Sequence, residues 1–351
     1  RVARPPGDRR RRGAMGSATA WALARRGVPT TLLEQFGPGH ARGASHGAGR
    51  IVRLGYADVG HVRLAQSAHR WWDVLQEESG EQLLSLCECV DHGPVRALRG
   101  LVEALLVCGV PFEYRTGPEA QGRWPGMRFD DRVVVQPVAG RAHADRTVAA
   151  LQVQAARHCA EVRQREQPAH FPVRDAGLVA DDAWPSFIHH VDPAAHAEAR
   201  LPEAPDGGYP PTGAYGHHTP GEGVQVGHDG TGPVVDPDTR DFTAEPGRLA
   251  ELRAYVREWL PGVDADAPAP ISCTSTTTPD ERLLLDRVGP VVIGAGFSGH
   301  GFTFTPGIGQ VLADLATDVR PEVPGVDLDA FALARFTAGA AAAAAPEVVE
   351  V

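Results

Sequence analysis

The chain has 351 residues, of which 42% are apolar and 22% charged, and a formal net charge of −10. Such a chain can bury a large core in one domain or two intertwined ones, and its acidic balance argues against a nucleic-acid partner. No apolar run approaches bilayer length, the arginine-rich start has no apolar stretch behind it, and Cys87, Cys89, Cys108, Cys159 and Cys273 form no metal-like pattern with histidines. A soluble, reduced, cytoplasmic protein with no membrane segment and no metal is expected.

In chain order, Gly13-Ala14-Met15-Gly16 opens a helix expected over Ser17–Arg26 and closed by Gly27. Thr30–Glu34 reads as a strand ending in an acid, and Glu34 stands where a dinucleotide-binding βαβ unit places its ribose-binding carboxylate. The unit is incomplete, because Arg11 takes the place of its first glycine. Arg9–Arg12 also replaces the strand before it, and four arginines cannot form a central parallel strand.

Gly39–Arg53 is a glycine-rich basic loop. The guanidinium forks of Arg50 and Arg53 suit carboxylate recognition, though both also fit a solvated helix face, and His46 alone fits a structural role. Val62–Glu78 has the pattern of an amphipathic helix with Trp71 and Trp72 in the core, and Leu98–Cys108 that of another. A turn at Arg123–Gly126 leads to a strand at Val133–Gln136. Asp145 is placed to cap a helix over Arg146–His158, and Glu161–Arg165 is expected to be a short strand.

Gln167–Arg174, Trp184–Val191 and Val224–Gly227 fit further sheet segments, and Pro246–Trp259 fits a helix. His189 and His190 would point to opposite faces of a strand and lack partners as metal ligands. No internal repeat is visible, and Ala338–Ala345 reads as a tail.

Gly289–Gly309 is the most informative stretch. Pro290–Ile293 has the composition of a strand buried on both faces, and it ends at Gly294-Ala295-Gly296. Gly299-His300-Gly301 follows, and Pro306 is expected to begin a helix over Gly307–Thr317. Strand, glycine turn and helix N-terminus together offer backbone N–H groups to an electron-rich ligand, the alternative being a tight corner with no ligand.

The string AGFSGHGF at Ala295–Phe302 resembles the C-terminal flavin-contacting segment of the monomeric sarcosine oxidase and N-methyltryptophan oxidase family, FAD-dependent amine oxidoreductases of the D-amino-acid-oxidase-like superfamily. Cys273–Asp280 resembles the family stretch whose cysteine is joined covalently to FAD, and Ser45–Arg53 its second flavin-contacting segment. The resemblance implies cofactor contacts at Gly13, Gly16, Glu34, Ser45, His46, Arg50, Cys273, Gly296, Phe297, Ser298, Gly299 and Gly301. It implies catalytic positions at Arg53, for the substrate carboxylate, Gln225 and His300.

The implied fold is α/β (α+β), with a Rossmann-like FAD-binding domain interleaved with a substrate domain on a mixed sheet. The former would take residues 1–84, 137–166 and 285–335, the latter 85–136 and 167–284, with 336–351 as tail. The implied reaction oxidises the C–N bond of a secondary-amine amino acid by hydride transfer to flavin. Molecular oxygen is then the acceptor and gives peroxide, and the protein is a monomer.

The chain departs from the family at several places. Gln225 stands for an oxygen-activating lysine, Asp229 for a histidine, Ser275 for a pocket aromatic and Thr303 for a second carboxylate-binding cation. Several tens of residues are missing after Glu166. These departures leave a second reading, a catalytically silent relative that only binds a ligand or partner. A nicotinamide-dependent dehydrogenase has less support.

Overall fold

The computed structural model describes residues 13–30, 32, 45, 47–157, 169–191, 213–229, 243–271, 276 and 278–336. Expectations on Arg9–Arg12, Glu34, His46, Glu161–Arg165, Cys159, Cys273, Ser275 and the alanine-rich end fall outside those residues, and Asp229 is described by its backbone alone.

The helices are α1 (Ala14–Arg25), α2 (Val59–Ser79), α3 (Val95–Val107), α4 (Gly117–Arg123), α5 (Ala144–Arg157), α6 (Pro246–Trp259) and α7 (Gly301–Ala316). Local chemistry sets several of their ends. Asp58 accepts the amide of His61 at the start of α2, and Gly80 ends that helix in the left-handed region. Thr116 and Glu119 form a reciprocal capping box on α4. Glu245 accepts two amides at the start of α6, with Pro246 in the first turn. Asp145 does not cap α5 as expected. It lies inside the first turn and accepts the amide of Gly47 at 2.9 Å, so its carboxylate holds the basic loop instead.

The strands are β1 (Arg50–Val52), β2 (Leu84–Ser85), β3 (Cys89–Gly93), β4 (Glu113–Thr116), β5 (Arg132–Gln136), β6 (Gly140–Ala142), β7 (Ala169–Phe171), β8 (Ser186–His190), β9 (Gly213–Thr219), β10 (Gly223–Asp229), β11 (Leu284–Val288) and β12 (Val291–Ala295). Seven form a mixed sheet in the order β4-β5-β3-β8-β9-β10-β7, with β4 and β7 at its edges. Of its pairs, β3–β8 is parallel and the rest are antiparallel. One face of the sheet packs Phe171, Phe187, Val224 and Val226 against Leu252 and Val256 of α6. A small antiparallel sheet, β1-β6-β2, lies under α1, α2 and α5, where Trp21, Trp72 and Leu151 form a separate core.

The strand expected at Pro290–Ile293 is not buried on both faces. β12 pairs with β11 across a two-residue Gly289-Pro290 turn, and Val291 is 56% exposed. Glycine at positive φ in the first turn position favours such a hairpin, and a β-branched apolar run cannot by itself distinguish it from a buried strand. Pro306 also falls inside α7 rather than at its start, because the helix begins five residues earlier at Gly301.

Candidate active site

The predicted residues come together at four places. At the start of α1, the Ser45 hydroxyl accepts the amide of Ala14 at 3.0 Å. A Cβ on Gly13 would lie 2.9 Å from that hydroxyl, so Gly13 is needed for the loop to approach the helix. Gly16 lies in the first turn of α1.

The second place is the turn from β12 into α7. Gly296, Ser298 and Gly299 all have positive φ, and a left-handed serine between two such glycines is an uncommon arrangement. Its side chain accounts for the geometry, since the Ser298 hydroxyl donates to the Gly296 carbonyl at 3.1 Å and accepts the amide of Thr278 at 3.2 Å. The Ser298 amide donates to the Thr276 carbonyl at 3.0 Å, so Thr276 and Thr278 lie beside the Ala295–Phe302 segment. Phe297 packs on Gly301, where a Cβ would lie 2.8 Å from its own Cβ.

The third place is the face of the large sheet opposite the basic loop. His170, Gln225 and His217 are register partners across β7, β10 and β9, so their side chains form a row on one face. Gly49 meets this row so closely that a Cβ there would lie 2.3 Å from His217. Burial, reinforced by the charge of Arg50, depresses His217 to about 3 and His170 to about 4. Both imidazoles are therefore neutral near pH 7. Arg50 Nη1 donates to the Gly49 carbonyl at 2.6 Å.

Arg53 follows β1. Its Nη1 donates to Asp91 Oδ1 at 2.9 Å, and its guanidinium lies 4.7 Å from the centre of the Tyr56 ring. His300 meets the same tyrosine edge-on at 6.0 Å, so two predicted catalytic residues share one aromatic platform. Burial raises the Tyr56 phenol above its ordinary pKa despite the opposing effect of Arg53. Thr303 is 3% exposed and accounted for structurally. Its hydroxyl donates to Ile51 and its carbonyl accepts the Trp72 indole N–H at 3.0 Å.

Asp91, Gln136, His217 and Tyr56 were not singled out by sequence, and His190 was weighed there only as a metal ligand. The one signal available for Asp91 is an acid inside the short Cys89–Gly93 segment, which carries no turn residues before its final glycine.

Among the described residues, the Nε2 of His217 and the Oε1 of Gln225 are buried without hydrogen-bond partners. Buried polar atoms without partners are costly, and a polar, planar ring system such as an isoalloxazine could supply the missing partners. Together with the left-handed turn before α7, this row makes the residues present fit a flavin. No helix among the described residues is long and apolar enough to cross a membrane, and no group of three or more His, Cys, Asp or Glu there could hold a metal ion.

The sequence profile of the family described as "FAD dependent oxidoreductase" matches residues 12–315. The chain belongs to this family. It is 28% identical to the monomeric sarcosine oxidase of Bacillus sp. (strain NS-129), over 92% of this chain and 95% of the relative. That alignment spans 378 positions, more than this chain has residues, so part of the relative has no counterpart here. The peroxisomal sarcosine oxidase of Mus musculus is 27% identical, over 93% of this chain and 94% of the relative.

Among solved structures, NikD, described as an unusual amino acid oxidase essential for nikkomycin biosynthesis, superposes with a TM-score of 0.71 at 21% identity. The match covers 91% of this chain and 95% of that one. L-proline dehydrogenase from P. horikoshii gives 0.69 at 20% identity, covering 93% and 96%. These likenesses establish for this FAD dependent oxidoreductase the mixed α/β fold that the sequence implies.

Proposed function

We propose that the chain oxidises the C–N bond of a small secondary-amine amino acid, of the sarcosine or N-methyl amino acid type. The observation that carries this reading is Arg53, a guanidinium fixed by Asp91 and stacked on Tyr56, directly after the Ser45–Arg53 segment. Such a fork binds a carboxylate with defined orientation, which a reaction on the adjacent amine requires. The similarity to sarcosine oxidases over nine-tenths of the chain supports the same chemistry. A silent relative is not favoured, because the family match spans both the glycine motif at α1 and the turn before α7.

FAD, when bound, supplies the hydride acceptor. The chain's own residues bind and orient: Gly13, Gly16, Glu34 and Ser45 would hold the nucleotide end, and Gly296, Phe297, Ser298, Gly299 and Gly301 would line the approach to the ring. His46, Arg50 and the Gln225 row would face it, and Cys273 would attach it covalently. The division into a flavin domain and a substrate domain, the monomeric state, the cytoplasmic location and the use of oxygen belong to the same reading. Gln225 offers a dipole where the family resemblance implies a cation, so oxygen turnover is expected to be slow. In protein shown to carry FAD, Gln225→Lys should raise peroxide formation by about tenfold or more.

The deciding experiment is the visible spectrum of the purified protein, before and after acid precipitation, followed by anaerobic addition of sarcosine. A flavin spectrum that bleaches with sarcosine or another N-methyl amino acid, and not with the corresponding tertiary amide, supports the proposal. Colour that stays with the precipitate and is lost in Cys273→Ala supports covalent attachment. A protein that cannot be loaded with FAD, or a loaded flavin that no amino acid bleaches, overturns it.

A further inference from the structure

The expected reaction makes no use of a buried acid on the large sheet. Asp91, in the middle of β3, has no exposed surface. Its Oδ1 accepts from Arg53 Nη1 at 2.9 Å and from His190 Nε2 at 2.7 Å, while its Oδ2 accepts from Gln136 Nε2 at 2.5 Å. The other end of the Gln136 amide accepts the backbone N–H groups of Leu54 and Gly55, at 2.9 and 2.6 Å. Asp91 therefore fixes Arg53 twice, directly and through the backbone that follows it.

This arrangement has an electrostatic consequence. A guanidinium already paired with a buried carboxylate presents almost no net charge to an incoming carboxylate. One more positive charge is needed for strong attraction, and His190 is placed to provide it. Its side chain is 27% exposed, and it shares the Asp91 oxygen with Arg53. We propose that His190 is a positioning residue of the carboxylate clamp, taking up a proton when a carboxylate binds at Arg53, so that the cluster turns from neutral to singly positive as the ligand arrives.

Further charged and titratable groups face His190 and its partners. Asp91 and Arg53 form the pair just described. His92 and His189 are pushed down by burial, His189 to about 4, and so remain neutral. The Cys89 thiol and the Tyr56 phenol are pushed up by burial and remain neutral as well.

This inference rests on the reading of Arg53 as a carboxylate-binding residue, and the test separates the two. The probe is acetate, which stays ionised at neutral pH and carries no amine that could titrate. Acetate is titrated into the FAD-loaded protein at constant ionic strength between about pH 6 and 8.5, and the change in flavin absorbance is followed. The affinity should weaken as pH rises, by up to about tenfold per unit. Calorimetry in two buffers of different ionisation enthalpy should register proton uptake with each acetate bound. His190→Gln keeps an N–H for Asp91 and should bind acetate with pH-independent affinity. A flat wild-type profile with no proton uptake, or a slope that persists in His190→Gln, overturns the coupling. Acetate affinity unchanged in Arg53→Ala overturns the carboxylate clamp itself, whatever the pH profile.

Discussion

The crossing of α1 with α7 and the site face of the large sheet are built to opposite specifications. At the crossing almost nothing stands between the backbones. A Cβ on Gly309 would lie 2.6 Å from the Ala18 backbone, and one on Gly307 would lie 2.9 Å from Ala68 of α2. The sheet face is crowded instead with polar groups, among them Asp91, Gln136, His217 and Gln225, each at most 2% exposed. One region tolerates no added atom and the other no lost partner. Stability at the crossing therefore comes from close packing, whereas the sheet face depends on partners for its polar groups, which Asp91 and Gln136 find within the chain and His217 Nε2 and Gln225 Oε1 do not.

The largest effect should come from violating the first specification. Gly309→Val forces α7 off α1 at a backbone contact that cannot yield, and should cost about 3 kcal/mol in urea unfolding. A loss under about 1 kcal/mol would mean that the crossing is looser than its geometry.

The second specification should appear as acid sensitivity. Folding holds His217 neutral with its pKa lowered to about 3, whereas the unfolded chain protonates the same ring near pH 6.5. The unfolded state thus binds more protons, and stability is lost as pH falls through about 6.5, levelling off near 3. Between pH 7 and 4.5 His217 alone should account for roughly 2–3 kcal/mol, and His217→Gln should lessen the pH dependence by that amount. An equally steep profile in the variant would assign the acid sensitivity to other groups.

A glycine at neither place gives the smallest effect. Gly122 lies in α4 with no atom within 4 Å of an added Cβ, and Gly122→Ala should stabilise by about 0.5 kcal/mol. Destabilisation there would show that glycine matters in this chain beyond close contacts.

The two regions were also unequally legible in the sequence. Helix ends were readable where chain-local chemistry fixes them: α6 runs from Pro246 to Trp259 as expected because Glu245 and Pro246 together define its start. The glycines of Gly294–Gly309 were visible, but their tasks divide. Gly296 and Gly299 shape the turn, whereas Gly307 and Gly309 serve helix packing. Periodicity placed His189 and His190 on opposite faces, and His189 stacks on His92 at 4.2 Å while His190 reaches Asp91. Nothing local could supply those partners. Asp91 is bonded to residues 38, 45 and 99 positions away, and a buried acid is explained only by what the fold brings to it.

The edges of the large sheet bear on how copies of the chain meet. Unpaired strand edges are where sheets of different molecules join. Here the outer edge of β7 is already bonded, His170 exchanging backbone hydrogen bonds with Ala269 at 2.8 and 2.7 Å, and β4 carries Glu113 and Arg115, joined to each other by a short ion pair. A covered rim and a charged rim both discourage strand addition. The sheet thus avoids becoming a template for aggregation, and crowding should not drive edge-to-edge pairing through β4 or β7.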